Sequence, residues 1–197
     1  LTQTVDYGLA AMVPVFTGPA GTTFTGWSTS FDAVTADLTV TAQYSINSYS
    51  VTFNLDGGNR TGGGALTQTV NYGLAATAPL FTPPLGKTFS GWSTSFNAVT
   101  ANLTVTAQYT INTYTVTFDL DGGSRTGGGV LVQTVNYGEA ATAPVLTAPA
   151  GKTFSGWSGS FDNVTANLII TAQYTQNSYT VTATVVGDGI VTPATQE

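Results

Sequence analysis

The sequence contains no cysteine and no histidine in 197 residues. Without cysteine there is neither a disulfide framework nor a thiolate, so stability has to come from packing and strand pairing. Without histidine the commonest general base is missing, and with both absent the preferred zinc ligands are gone. Serine is plentiful but has nothing to activate it. Charge is scarce as well: charged residues make up 7% of the chain, against about 25% in an average globular protein. Water must therefore be met by threonine, serine, asparagine, glutamine and backbone. The only cations are Arg60, Lys87, Arg125 and Lys152, and the net charge is −6. No basic stripe exists to neutralise phosphates or to dock on anionic lipid, so nucleic acid is not an expected partner. No apolar run has the length of a bilayer-spanning helix, so membrane insertion is not expected. The opening LTQTVDYG has neither a charged n-region nor an apolar h-region. The chain also begins without Met, and the expectation is an internal piece of a longer protein.

What is present is a repeat. Apolar residues form 42% of the chain, enough to bury a core. The hexapeptide TFSGWS stands at residues 88–93 and again at 153–158, and TFTGWS stands at 23–28. Shifted by 65 residues the sequence matches itself almost everywhere, aligning Trp27, Trp92 and Trp157, and Tyr44, Tyr109 and Tyr174. The unit starts naturally at YSVTFNLDGG, where Tyr49, Val51, Phe53 and Leu55 alternate with polar residues, the period of a half-buried strand. A glycine-rich turn GGNRTGGG and then LTQTVNYG predict a hairpin with a long flexible loop. Pro79, Pro83 and Pro84 make the next segment a crossover with room for at most one short helical turn before Pro79. TFSGWS gives a third strand and LTVTAQY a fourth. Four strands per unit is the expected count.

The inward parity is even through Leu38, Val40, Ala42, Tyr44 and Ile46, and odd through Tyr49, Val51, Phe53 and Leu55. A bulge or tight turn is therefore expected at Asn47-Ser48. Such a short junction predicts a semi-rigid rod. The expected organisation is a first repeat lacking its first strand over residues 1–47, complete repeats over 48–112 and 113–177, and the first strand and turn of a further, divergent repeat over 178–197. The missing strand reflects truncation of an array or strand addition by another molecule through Tyr179 to Val186.

The blocks VTFxLDGG, QTVNYG, GKTFSGW and VTANLTVTAQY, in that order, resemble the Listeria-Bacteroides repeat, the internalin B-repeat type of bacterial surface proteins. The resemblance covers nearly the whole chain. It departs from the family's usual pattern in having Ser28, Ser93 and Ser158 after GW. It implies a mainly β chain of tandem small β-grasp-like (ubiquitin-like) repeats with little helix, in which first and last strands lie side by side and parallel. It also implies an extracellular or bacterial cell-surface location in an adhesin-like stalk or spacer.

No catalytic, cofactor-binding or metal-binding residue is assigned, no cofactor is expected, and the chain is not expected to be an enzyme. Asp119 and Asp121 lie two apart and suggest paired acids or a Ca²⁺ site, but Asn54 replaces Asp119 in the preceding unit. GGNRTGGG and GGSRTGGG lack the GK[ST] ending of a phosphate loop. Arg60 and Arg125 are expected to pair loosely with Asp56 and Asp121. Lys87 and Lys152 have Thr22 as their counterpart in the first repeat, which argues against an isopeptide bond common to all repeats. Phe89 and Trp92, three apart, would point to opposite faces of a regular strand. Either Gly91 bulges and both turn inward as a core anchor, or the Trp lies outside and could stack on sugar rings. The leading function is a structural spacer. The alternative is a carbohydrate- or glycoprotein-binding array using exposed Tyr and Trp, so an unknown protein or glycan ligand stays open. A further alternative is head-to-tail self-association through Tyr179 to Val186.

Overall fold

The computed structural model describes residues 1–190 and 192. Among these the chain is all β, with strands in small sheets and no helix. It divides into two compact units, Leu1–Ile111 and Asn112 onward.

The complete block within the first unit shows how the sequence builds the sheet. Strands β3 (Ser48–Asn54), β5 (Thr67–Asn71), β7 (Lys87–Trp92) and β8 (Leu103–Ile111) form a four-stranded sheet in the order β5-β3-β8-β7. β3 and β5 are the expected hairpin, in register from Ser48↔Asn71 to Thr52↔Thr67. β3 and β8 are parallel neighbours, Val51↔Leu103 through Asn54↔Thr106. This is the parallel pairing of first and last strands that the family resemblance implies. The alternation read from the sequence holds: Val51 and Phe53 on β3 and Val105 and Ala107 on β8 are buried, while Ser50, Thr52 and Asn54 are exposed. Val70, Ala76 and Val99 complete the core, with Tyr49, Trp92, Phe96 and Leu103 packed against it.

Two strands were not expected. β4 (Asn59–Gly63) and β6 (Pro79–Thr82) form a second, two-stranded sheet. The complete block therefore has six strands, not four, and no helical turn precedes Pro79. The glycine-rich loop becomes a strand because Arg60 turns back on its own chain. Its Nε donates to the Gly64 carbonyl (3.0 Å) and its Nη2 to the Gly63 carbonyl (2.9 Å). That replaces the expected pairing of Arg60 with Asp56. Pro79 opens β6, the position where a missing N–H costs a strand least. Arg125 repeats the arrangement on the carbonyls of Gly129 and Gly128, at 2.7 and 2.8 Å, in place of the pairing with Asp121.

The second unit has the same plan. β9 (Thr113–Asp119), β11 (Val132–Asn136), β13 (Lys152–Trp157) and β14 (Leu168–Gln176) form a sheet in the order β11-β9-β14-β13. β10 (Ser124–Gly128) and β12 (Pro144–Thr147) form the small sheet. β9 and β14 are parallel, Leu168↔Val116 through Thr171↔Asp119. Residues 177–190 form no strand, and residues 191 and 193–197 lie outside those described.

In residues 1–47 only β1 (Thr22–Trp27) and β2 (Ala42–Ile46) form, as an antiparallel pair. The loop anchors of a complete block persist around them. Gly8 N–H donates to Val34, Ala11 N–H to Phe31 and Val34 N–H to Leu9, just as Gly73, Ala76 and Val99 donate to Val99, Phe96 and Leu74.

Candidate functional site

Three features stand apart from ordinary sheet construction: an aromatic layer, a one-residue joint and an open cleft.

The aromatic layer answers the question raised by the repeated hexapeptide. Opposite β8 the register of β7 slips between Phe89 and Gly91, and Gly91 has φ +152°. At that bulge an extra residue is accommodated, so Phe89 and Trp92 reach the same side, with ring centroids 5.2 Å apart. Trp92 also meets Phe53 at 5.1 Å, Phe81 at 5.6 Å and Phe96 at 6.1 Å, all edge-on. Trp157 meets Phe118, Phe154 and is packed against the second core in the same way. The indoles are therefore core anchors, half-buried among neighbouring rings.

The layer is sealed by a tyrosine. The Tyr109 hydroxyl donates to the Leu55 carbonyl, and Tyr174 to that of Leu120 at 2.6 Å. Burial, and secondarily the charge of Asp56, push the Tyr109 hydroxyl above its ordinary range. Burial does the same for Tyr174, aided by Asp121 and Asp119. Lys87 Nζ lies 5.9 Å from the Tyr109 ring centroid, and Lys152 Nζ lies 5.9 Å from that of Tyr174.

Asp119 and Asp121 do not face each other as an acid pair. Asp121 adopts φ +44° and its N–H donates to the Asp119 carboxylate at 3.0 Å, which makes a side-chain-stabilised turn. Asn54 and Asp56 build the same turn at 3.0 Å, so an amide serves as well as a carboxylate.

The joint between the first two blocks is Asn47 alone, between β2 and β3. Its N–H donates to Gly21 and its carbonyl accepts from Tyr72 N–H, both at 2.8 Å. Its side-chain oxygen accepts from Thr23 Oγ1 at 2.6 Å. A Cβ on Gly21 would stand 2.0 Å from the Tyr72 ring, so that side chain occupies the space a larger residue at 21 would need. Asn177 repeats half of the pattern, with Gly151 (2.8 Å) and Thr153 Oγ1 (2.6 Å).

A glutamine role went unnoticed in the sequence. Gln68 Nε2 donates to the Thr77 carbonyl (2.6 Å) and its Oε1 accepts from Thr77 N–H (2.9 Å), clipping the crossover to β5. Gln133 makes the same clip to Thr142, and Gln3 makes it to Met12. The signal was available: QTV recurs in all three blocks at a position where an apolar residue would fit the alternation.

The cleft has a volume of about 750 Å³ and lies between residues 1–5 and 34–40, with Trp27 and Phe31 on its wall. In the complete blocks the corresponding space holds β3 or β9.

These features define a tandem-repeat β protein whose recurring unit is a four-stranded sheet with an aromatic plug and a small second sheet. Residues 49–113 and 114–185 each match the Listeria-Bacteroides repeat domain, and the chain belongs to that family. Over 182 residues it is 32% identical to a putative Gly-rich membrane protein of Evansella cellulosilytica, covering 80% of this chain and 20% of the relative. A putative membrane protein of the same organism is 27% identical over 175 residues, 79% of this chain and 25% of the relative. Internalin H of Listeria monocytogenes is 37% identical over 83 residues, 36% of this chain and 14% of the relative. The chain thus spans a quarter or less of each of these relatives. No solved structure matches it.

Proposed function

We propose that the chain is a non-catalytic spacer segment of a bacterial cell-envelope protein, facing the outside and holding another part of that protein at a distance. The observation that carries this is the Asn47 joint: one residue, bonded on both sides, separates consecutive blocks, where a flexible tether would leave its backbone groups to water. The printed names of the relatives, two of them membrane proteins and one an internalin, support an envelope location. Among the described residues no helix is long and apolar enough to cross a membrane. Spin labels at Thr29→Cys and Thr94→Cys, one in each of the first two blocks, test the joint by electron–electron distance measurement. A narrow distance distribution that broadens in Asn47→Gly is expected, and a broad distribution without that substitution refutes the spacer.

The cleft favours a second reading, strand addition from another copy. The 65-residue register sets Tyr179, Val181 and Ala183 as counterparts of Tyr49, Val51 and Phe53. Tyr179 and Val181 are 83% and 91% exposed, available for capture. On that reading the Val181→Pro chain, which lacks one backbone donor, stays monomeric in light scattering at concentrations where the parent chain grows. A parent chain whose mass does not rise with concentration excludes it.

A further inference from the structure

We infer that each complete block is a force-bearing clamp, in which tension along the chain is met by the parallel pair of its opening and closing strands loaded in shear. In the first complete block the chain enters at Ser48, the start of β3, and leaves at Ile111, the end of β8. Because β3 and β8 are parallel and adjacent, these points lie at opposite ends of one ladder. Pulling on them slides the two strands past each other along their length. Every rung from Val51↔Leu103 to Asn54↔Thr106 then resists together, whereas a hairpin pulled at its open end yields one rung at a time.

Three local features reinforce the ladder. Asn102 Oδ1 accepts from Ser50 N–H at 2.9 Å, adding a bond beyond the first rung. Tyr109, beyond the last rung, ties β8 to the Leu55 carbonyl. Val51, Phe53, Val105 and Ala107 are all at most 2% exposed, so one face of the ladder is closed to the water that would compete for its bonds. The same parts recur in the second unit: Asn167 Oδ1 accepts from Thr115 N–H at 2.9 Å, Tyr174 ties to Leu120, and Val116 and Phe118 are buried. The direction of pairing is a property of each block by itself, so this inference does not rest on the spacer reading. A stiff joint could connect weak blocks, and strong blocks could hang on a loose joint.

Single-molecule pulling of the 197-residue chain by its two ends tests the clamp. Because the chain has no cysteine, handles at Ser48→Cys and Asn71→Cys can pull the same block across the open end of the β3–β5 hairpin. Rupture end to end is expected at a force several-fold above rupture across the hairpin. Asn102→Ala is expected to lower the end-to-end force of one block while the hairpin force stays put, which a merely structural asparagine would not do. Equal forces in the two geometries, or an Asn102→Ala effect of the same size in both, would overturn the clamp. Its failure would leave the label distances at the joint untouched, so the two ideas can fall separately.

Discussion

Residues 1–47 and 66–112 carry nearly the same letters in the same order, yet they differ sharply in burial. Val70, Val99, Val105 and Ala107 are buried, at 7%, 2%, 0% and 2% exposure. Their counterparts Val5, Val34, Val40 and Ala42 are only half-buried, and no side chain in residues 1–47 is fully buried. The difference is the central strand. With Val51 and Phe53 in place, the flanking strands have something to cover; without them Val5, Val34 and Val40 line a cleft. Burial here belongs to the assembled sheet and not to any one segment of it.

Substituting the central strand should carry the second block toward the first. Phe53→Ala removes the ring between Trp92 and Phe96 and should cost about 3–5 kcal/mol. Hydrogen exchange should show protection lost across residues 48–111 and kept in the second unit; uniform loss in both would show that the units do not fold separately. Next in size is Gly64→Ala, whose Cβ would stand 1.9 Å from the Thr77 carbonyl. It should destabilise the crossover by about 1–3 kcal/mol, read as a lower denaturation midpoint with the Gln68 clip lost.

A finer contrast separates the two complete blocks. Phe81 meets Phe89 and Tyr109, at 5.1 and 6.3 Å, and Leu146 takes its place in the later block, where Phe154 is 37% exposed. Leu146→Phe should restore the missing ring pairs and add about 0.5–1.5 kcal/mol, seen as a higher melting temperature of the second unit and a blue shift of Trp157 fluorescence. An effect of similar size is expected for Tyr109→Phe, about 0.5–1.5 kcal/mol for the bond to Leu55. Its pH signature is distinct. The folded chain holds the Tyr109 proton more tightly than the ordinary value of 10.0. The resulting stability is therefore complete below that value and is lost as pH rises through the higher folded one. Tyr109→Phe should flatten that part of the alkaline limb, and an unchanged limb would show that the hydroxyl bond does not contribute.

The sequence disclosed what periodicity can encode. The alternation through Tyr49, Val51 and Phe53 located the central strand, and the Phe-x-Gly-Trp spacing located the bulge as one of two options. It did not disclose β4 and β6, because Asn-Arg-Thr-Gly-Gly has poor strand propensity and forms a strand only once Arg60 ties down the glycine carbonyls. Charge alone points Arg60 to Asp56, whereas the carbonyls three and four residues ahead take its guanidinium. Asn102 was equally opaque, since its partner, Ser50, is 52 residues away in sequence. Such long-range side-chain bonds leave no local pattern to read.

Each core draws on residues of a single block: the first runs from Tyr49 to Val105 and the second from Tyr114 to Ile170. Genetic duplication or loss of one whole period would therefore add or delete a finished core without orphaning any side chain in the others. Copy number can drift by recombination while every remaining copy still folds, which gives a lineage a cheap way to lengthen or shorten the array.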